Sequence, residues 1–172
     1  SRELIERIKG RHERLFPPVS PDYTSMLLAL LAAEATVDVG ATLHVSLNTA
    51  VSNGMLGALD ASYVLGFFRL IDPTLAILQR FPISGLYAAF HNTIAYDYQA
   101  TLAEDGRCQN WNIDFANLAN LAWEDLAAVM RWPSDDERKS QFAILQAWAS
   151  RQAANVRLRI DPRVMTLPPL PE

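Results

Sequence analysis

Prolines stand where the apolar periodicity of this chain resets, and that punctuation constrains the fold more than any other feature. Pro17, Pro18 and Pro21 follow a charged opening segment, Pro73 and Pro82 divide the middle, Pro133 precedes the last periodic stretch, and Pro162, Pro168, Pro169 and Pro171 crowd the end. Proline lacks a backbone N–H and costs a helix interior roughly 3 kcal/mol, so each one closes an element or, at a first helical position, opens the next. Between these marks the apolar residues recur at helical spacing.

The segment 2–15 places Leu4, Ile5, Ile8 and Leu15 on one helical face, weakened by Gly10. Ser20 as N-cap with Pro21 behind it opens a helix through Tyr23, Met26, Leu27, Leu30 and Leu31 to about Asp38. Over 39–53, Val39, Leu43, Leu47 and Val51 fit a helix, while Leu43, Val45 and Leu47 alternate with His44, Ser46 and Asn48 as in a strand. Helix is favoured because no partner strand is evident elsewhere, and Asn53-Gly54 with Gly57 reads as a stop or turn. Asp60 caps a helix through Tyr63, Val64, Phe67, Phe68 and Ile71, and Asp72-Pro73 opens a short one to about Arg80. After Phe81-Pro82 a helix carries Leu86, Tyr87, Phe90, Ile94 and Tyr98 on one stripe and ends near Glu104-Asp105-Gly106. Asp114 or a neighbour starts the next, with Phe115, Leu118, Ala122, Leu126 and Val129 in phase until Trp132-Pro133. Ser134 and Glu137 form a capping box for a helix through Phe142, Leu145, Trp148 and Ala149 to about Val156.

The expected fold is therefore all-α, an irregular bundle of roughly six to eight helices in one domain spanning 1–172. Its ends stand apart. Residues 1–19 form a candidate N-terminal arm hinged at Phe16-Pro17-Pro18, and 160–172 a candidate C-terminal arm. That tail, with Val164, Met165, Leu167 and Leu170 among its prolines, is extended or polyproline II and presents a partner-binding strip.

At 172 residues, half hydrophobic and one-fifth charged, the chain can bury a sizeable core, which excludes disorder over most of its length. Cys108 is the lone cysteine, so no internal disulfide calls for an oxidising compartment, and a reducing intracellular one is expected. The apolar run from Met26 to Ala33 stops well short of the roughly 20 residues a membrane span needs. Arg2, Glu3, Glu6, Arg7 and Lys9 alternate in sign, unlike a signal peptide, and no membrane partner is expected.

The net charge of −4 conceals a segregation: 1–15 carries +2 and 131–163 carries +3, whereas 16–130 carries −8. Basic ends around an acidic body favour head-to-tail self-association or a protein partner, the general plan of nucleoprotein and coat subunits, as an analogy of organisation rather than kinship. Arg151, Arg157, Arg159 and Arg163, with Arg131, Arg138 and Lys139 and the rings of Trp132 and Trp148, are candidates for nucleic-acid contact, although the acidic body would repel a polyanion.

No G-x-S-x-G, Walker A or G-x-G-x-x-G pattern occurs, no cofactor is implied, and neither His44 nor His91 has an acid three residues before it. Glu34 and Asp38, one turn apart, read as a solvated edge rather than a metal pair, and no metal is expected. The leading expectation is a non-enzymatic helical module that self-associates or binds a partner through its terminal segments. The alternative is a small-molecule or catalytic pocket lined by Tyr87, His91, Tyr98 and His44, in which aromatic rings supply shape and a histidine moves a proton. Asp97, six residues beyond His91, falls on a different helical face.

Overall fold

A computed structural model describes residues 2–12, 16, 19–35, 53–104 and 112–152. These form α1 (Arg2–His12), α2 (Pro21–Ala32), α3 (Asn53–Leu59), α4 (Ala61–Ile71), a 3-10 helix (Ala76–Arg80), α5 (Phe90–Glu104), α6 (Phe115–Ala128) and α7 (Asp135–Arg151). The architecture is all-α, a bundle of seven packed helices with no strand among the described residues. His44 and the whole 39–52 stretch lie outside the described residues, as do Cys108, Trp111, Arg157, Arg159, Arg163 and the tail with Val164, Met165, Leu167 and Leu170.

Local cap chemistry sets several boundaries. Asp60 Oδ1 accepts from the Tyr63 amide at 3.0 Å, Asp114 Oδ1 from the Asn117 amide at 3.0 Å, and Ser134 Oγ from the Glu137 amide at 3.1 Å. Each satisfies one of the four N–H groups that a helix start leaves unpaired. One backbone bridge closes the bundle. The Arg131 amide donates to Leu59 O at 3.0 Å and the Ala61 amide to Arg131 O at 2.9 Å, tying the α3–α4 corner to the chain leaving α6.

The structure departs from the sequence reading in five places. α2 stops at Ala32, not near Asp38, as Ala33 turns extended and Glu34 reaches back to pair with Arg7 of α1 at 2.9 Å. Ser20 precedes α2 as expected, yet its side chain makes no cap bond and is drawn instead to Asp97 of α5. Asn53–Leu59 is helix despite Gly54 and Gly57, because packing of α3 on α4 and α6 overrides a propensity penalty of about 1 kcal/mol per glycine. Asp72 caps α4 and then folds a tight turn, accepting from Thr74 and Ile77, so the following 3-10 helix begins only at Ala76 after Leu75 at φ 58°. Finally, α5 begins at Phe90, leaving Leu86 and Tyr87 outside the helix.

That last difference shapes the core. Residues 81–89 run as irregular chain, yet Phe81, Ile83, Leu86, Tyr87, Ala88 and Ala89 are buried with Phe68, Leu126 and Leu145. Gly85, at φ 78°, makes the turn that a side chain would strain. Buried irregular backbone needs partners, and two side-chain amides provide them. Asn92 Oδ1 accepts from the Ile83 amide at 3.0 Å while Nδ2 donates to Ile83 O and Leu86 O at 3.0 and 2.7 Å. Gln141 of α7 accepts from the Tyr87 and Ala88 amides at 3.0 and 3.3 Å and donates to Gly85 O at 3.2 Å.

The N-terminal helix packs along α2, burying Ile8 against Leu28 and Ala32. No helix among the described residues is long and apolar enough to cross a membrane.

Candidate functional site

The anchored segment 81–89 delivers α5 to its position and sets its first turn against α6. α5 and α6 pack along one another, with Leu118 and Leu121 of α6 turned to the space they share. His91, in the first turn of α5, then meets Asp125, in the last turn of α6.

Asp125 does two things there. Its Oδ2 accepts the His91 backbone N–H at 2.8 Å, satisfying an amide at the α5 start and placing negative charge where the helix dipole favours it. The same carboxylate lies 2.9 and 3.0 Å from His91 Nδ1. An ionised carboxylate only accepts, so Nδ1 carries the proton and the neutral ring keeps its lone pair on Nε2. The hydrogen bond to Asp125 holds the imidazole above its ordinary pKa; burial opposes this, and the charges of Asp125 and Glu124 add to it.

Beside this pair an open cleft of about 600 Å³ runs between α5 and α6, roofed by Leu27 of α2. Its walls are mostly apolar, with Ile94, Leu102, Ile113 and Leu121 prominent, and its polar groups are His91, Tyr98, Asn112, Asp114 and Asn117. The volume is of the order that holds small organic ligands. The ring of His91 is 39 % exposed, and no partner among the described residues reaches Nε2.

The sequence candidates divide. His91 and Tyr98 line this one cleft; the Tyr98 hydroxyl donates to Tyr23 O at 3.3 Å, and burial raises its pKa. Tyr87 is not among the lining residues. It is a buried residue of the 81–89 segment, its hydroxyl has no hydrogen-bond partner among the described residues, and burial followed by the charge of nearby Glu137 raises its pKa. Glu137 lies close enough to act on that hydroxyl without completing a bond of proper geometry. His44 lies outside the described residues. Asp97 faces away from His91, as its spacing suggested, and is buried against Ser20 and Thr24.

Of the basic candidates, Arg151 is exposed in the last turn of α7. Arg138 and Lys139 pair with Asp135 at 3.1 and 2.9 Å, and Arg131 lies 3.9 Å from Asp60, so these charges are partly matched within the fold. Arg157, Arg159 and Arg163 lie outside the described residues. Glu34 sits exposed in its ion pair with Arg7, and no group of three or more His, Cys, Asp or Glu among the described residues could hold a metal ion.

Asp125 escaped sequence reasoning because its link to His91 spans 34 residues. The only signal was an acid at the end of one helix and a histidine at the start of another. Compared with family models, with curated proteins and with solved structures, the chain matches none.

Proposed function

We propose that the α5–α6 cleft binds a small, predominantly apolar molecule and reads one polar group of it through Nε2 of His91. The observation that carries this is the pairing itself. Asp125 fixes the ring and occupies Nδ1, while the other nitrogen is left to an apolar cleft of ligand size. A histidine oriented by a carboxylate can donate to an acceptor when protonated and abstract a proton when neutral, so proton transfer is the chemistry available to the site. The raised pKa favours the donor form, which selects ligands bearing an acceptor such as a carbonyl or carboxylate.

Leu121→Trp fills the cleft from the α6 side and alters neither member of the His91–Asp125 pair. Ligand-observed NMR with a panel of monocyclic aromatic carboxylates and their methyl esters is expected to show binding to the native chain that Leu121→Trp abolishes. His91→Ala is expected to weaken it about tenfold, the scale of one charge-assisted hydrogen bond. Equal binding to all three proteins overturns the reading.

A second reading is self-association or capture of a protein partner, with the terminal arms and α2 as contacts. Tyr23, Met26 and Leu30 lie one and two turns apart on α2 and remain 42 %, 54 % and 49 % exposed, an apolar strip that supports it. A nucleoprotein-like or coat-like assembly using the basic Arg151 end is the form the charge segregation favours. Light scattering of the full chain beside a variant lacking 160–172 separates the readings. A change of mass supports association through the tail, and an unchanged monomeric mass removes it.

A further inference from the structure

On the opposite face of α5 from His91 lies a second, smaller and more enclosed cavity of about 310 Å³, formed where α1, α2 and the 3-10 helix meet α5. Its lining is rich in charge: His12, Arg80, Asp97 and Glu104 all contribute, with Tyr96 and Thr101 between them. Asp97 is only 4 % exposed, and every hydrogen bond it receives from the described residues goes to one oxygen. The Ser20 amide, the Ser20 hydroxyl and the Thr24 hydroxyl reach Oδ2 at 2.6, 2.8 and 3.3 Å. No donor among the described residues reaches Oδ1.

Asp97 lines the cavity, and a carboxylate oxygen there that takes no donor from the described residues keeps its capacity for whatever the cavity holds. The three bonds to Oδ2 explain why Asp97 is buried, since they secure the start of α2. They leave the other oxygen of this cavity-lining residue without a donor among the described residues. In the lining of the same cavity, Arg80 lies over the Tyr96 ring at 5.8 Å, and no carboxylate among the described residues pairs with it. A planar guanidinium held over an aromatic ring presents its N–H edge for a carboxylate. Glu104 stands 3.9 Å from His12 and adds a second negative charge to the lining.

We infer that this cavity binds a small zwitterion of the amino-acid class, its ammonium on Asp97 Oδ1 beside Thr101 and Glu104 and its carboxylate on Arg80. A lone cation would leave Arg80 unmatched and repelled, and a lone anion would meet Asp97 and Glu104. The site is independent of the His91 cleft, and either can fail without the other.

The test uses the full chain, isotope-labelled, titrated with glycine, β-alanine, γ-aminobutyrate and δ-aminovalerate as a ruler of charge separation. Butylamine and butyrate serve as single-charge controls. One length is expected to bind at least tenfold tighter than either control and to shift the amides of Arg80, Thr101 and Glu104. Arg80 is exposed, so Arg80→Gln keeps the fold, and it is expected to reduce that preference to less than about threefold. Asp97→Asn, which retains an acceptor for Ser20, should weaken the amino acid and butylamine alike. A control that binds as tightly as the best amino acid overturns the inference. So does a preference that survives Arg80→Gln, or an absence of binding across the whole series.

Discussion

His91 and Asn92 are neighbours in the first turn of α5, and the fold uses them in opposite ways. Asn92 is fully buried, and its amide is bonded to three backbone groups of the irregular segment before it. His91 is bound on one nitrogen by Asp125, and the residue lines an apolar cleft. Polarity at a helix start therefore says little about role. What separates a structural polar residue from a ligand-facing one is whether its hydrogen-bonding capacity is consumed inside the chain. Gln141 belongs with Asn92, whereas Asp97, whose donors among the described residues all go to one oxygen, belongs with His91.

The largest expected effect comes from breaking the first side of this contrast. Asn92→Ala strands three buried backbone groups and is expected to cost about 4 kcal/mol in urea unfolding, at 1–3 kcal/mol per unsatisfied group with partial relaxation. Gln141→Leu likewise strands three backbone groups of the segment, one of them less deeply buried, and should cost about 3 kcal/mol. If either behaves like a surface substitution, within about 0.5 kcal/mol, the 81–89 segment is not held as described.

On the other side of the contrast, His91→Ala should cost less than about 1 kcal/mol, since a half-exposed pair is screened by solvent. Its signature is pH dependence. The folded-state pKa of His91 lies above the unfolded value of about 6.5. The pair's contribution to stability is thus fully present below the unfolded value and is lost as pH rises through the folded one. Unfolding curves collected from pH 5.5 to 8.5, roughly a pH unit or more on either side of that value, should show this loss in the native chain and not in Asp125→Asn. An NMR titration should also place the His91 ring lower in Asp125→Asn. An unchanged ring pKa in that variant removes the pairing.

The smallest effect on stability is expected from Met26→Glu with Leu30→Glu, both exposed, at no more than about 0.5 kcal/mol per site. Their use is to sharpen the second functional reading: a fall in oligomeric mass without loss of stability identifies α2 as a contact face. Identical mass in native and variant chains excludes it.

Much of the fold was legible from local signals. Asp60, Asp114 and Ser134 cap helices by bonds three residues long, and such chemistry is written where it acts. The misreadings share one cause. Gly54 and Gly57 suggested a stop, and the phase of Leu86 and Tyr87 suggested an earlier start to α5, because local propensity and period carry no record of what packs against them. Tertiary partners decided both. Asn92 and Gln141 support an irregular segment that reads as helix by period alone. The site was half legible. His91 and Tyr98 stood out as a histidine and an aromatic on one stripe, while Asp125 could be joined to them only in three dimensions.

The most direct test of the contrast is an NMR titration of the labelled native chain with benzoate, following the ring nitrogens of His91 and the side-chain amides of Asn92 and Gln141 together. Displacement of the His91 Nε2 resonance with saturation, and still signals from both amides, is the predicted result. Benzoate that leaves Nε2 unmoved, or that shifts the buried amides as much as the ring, would contradict the account.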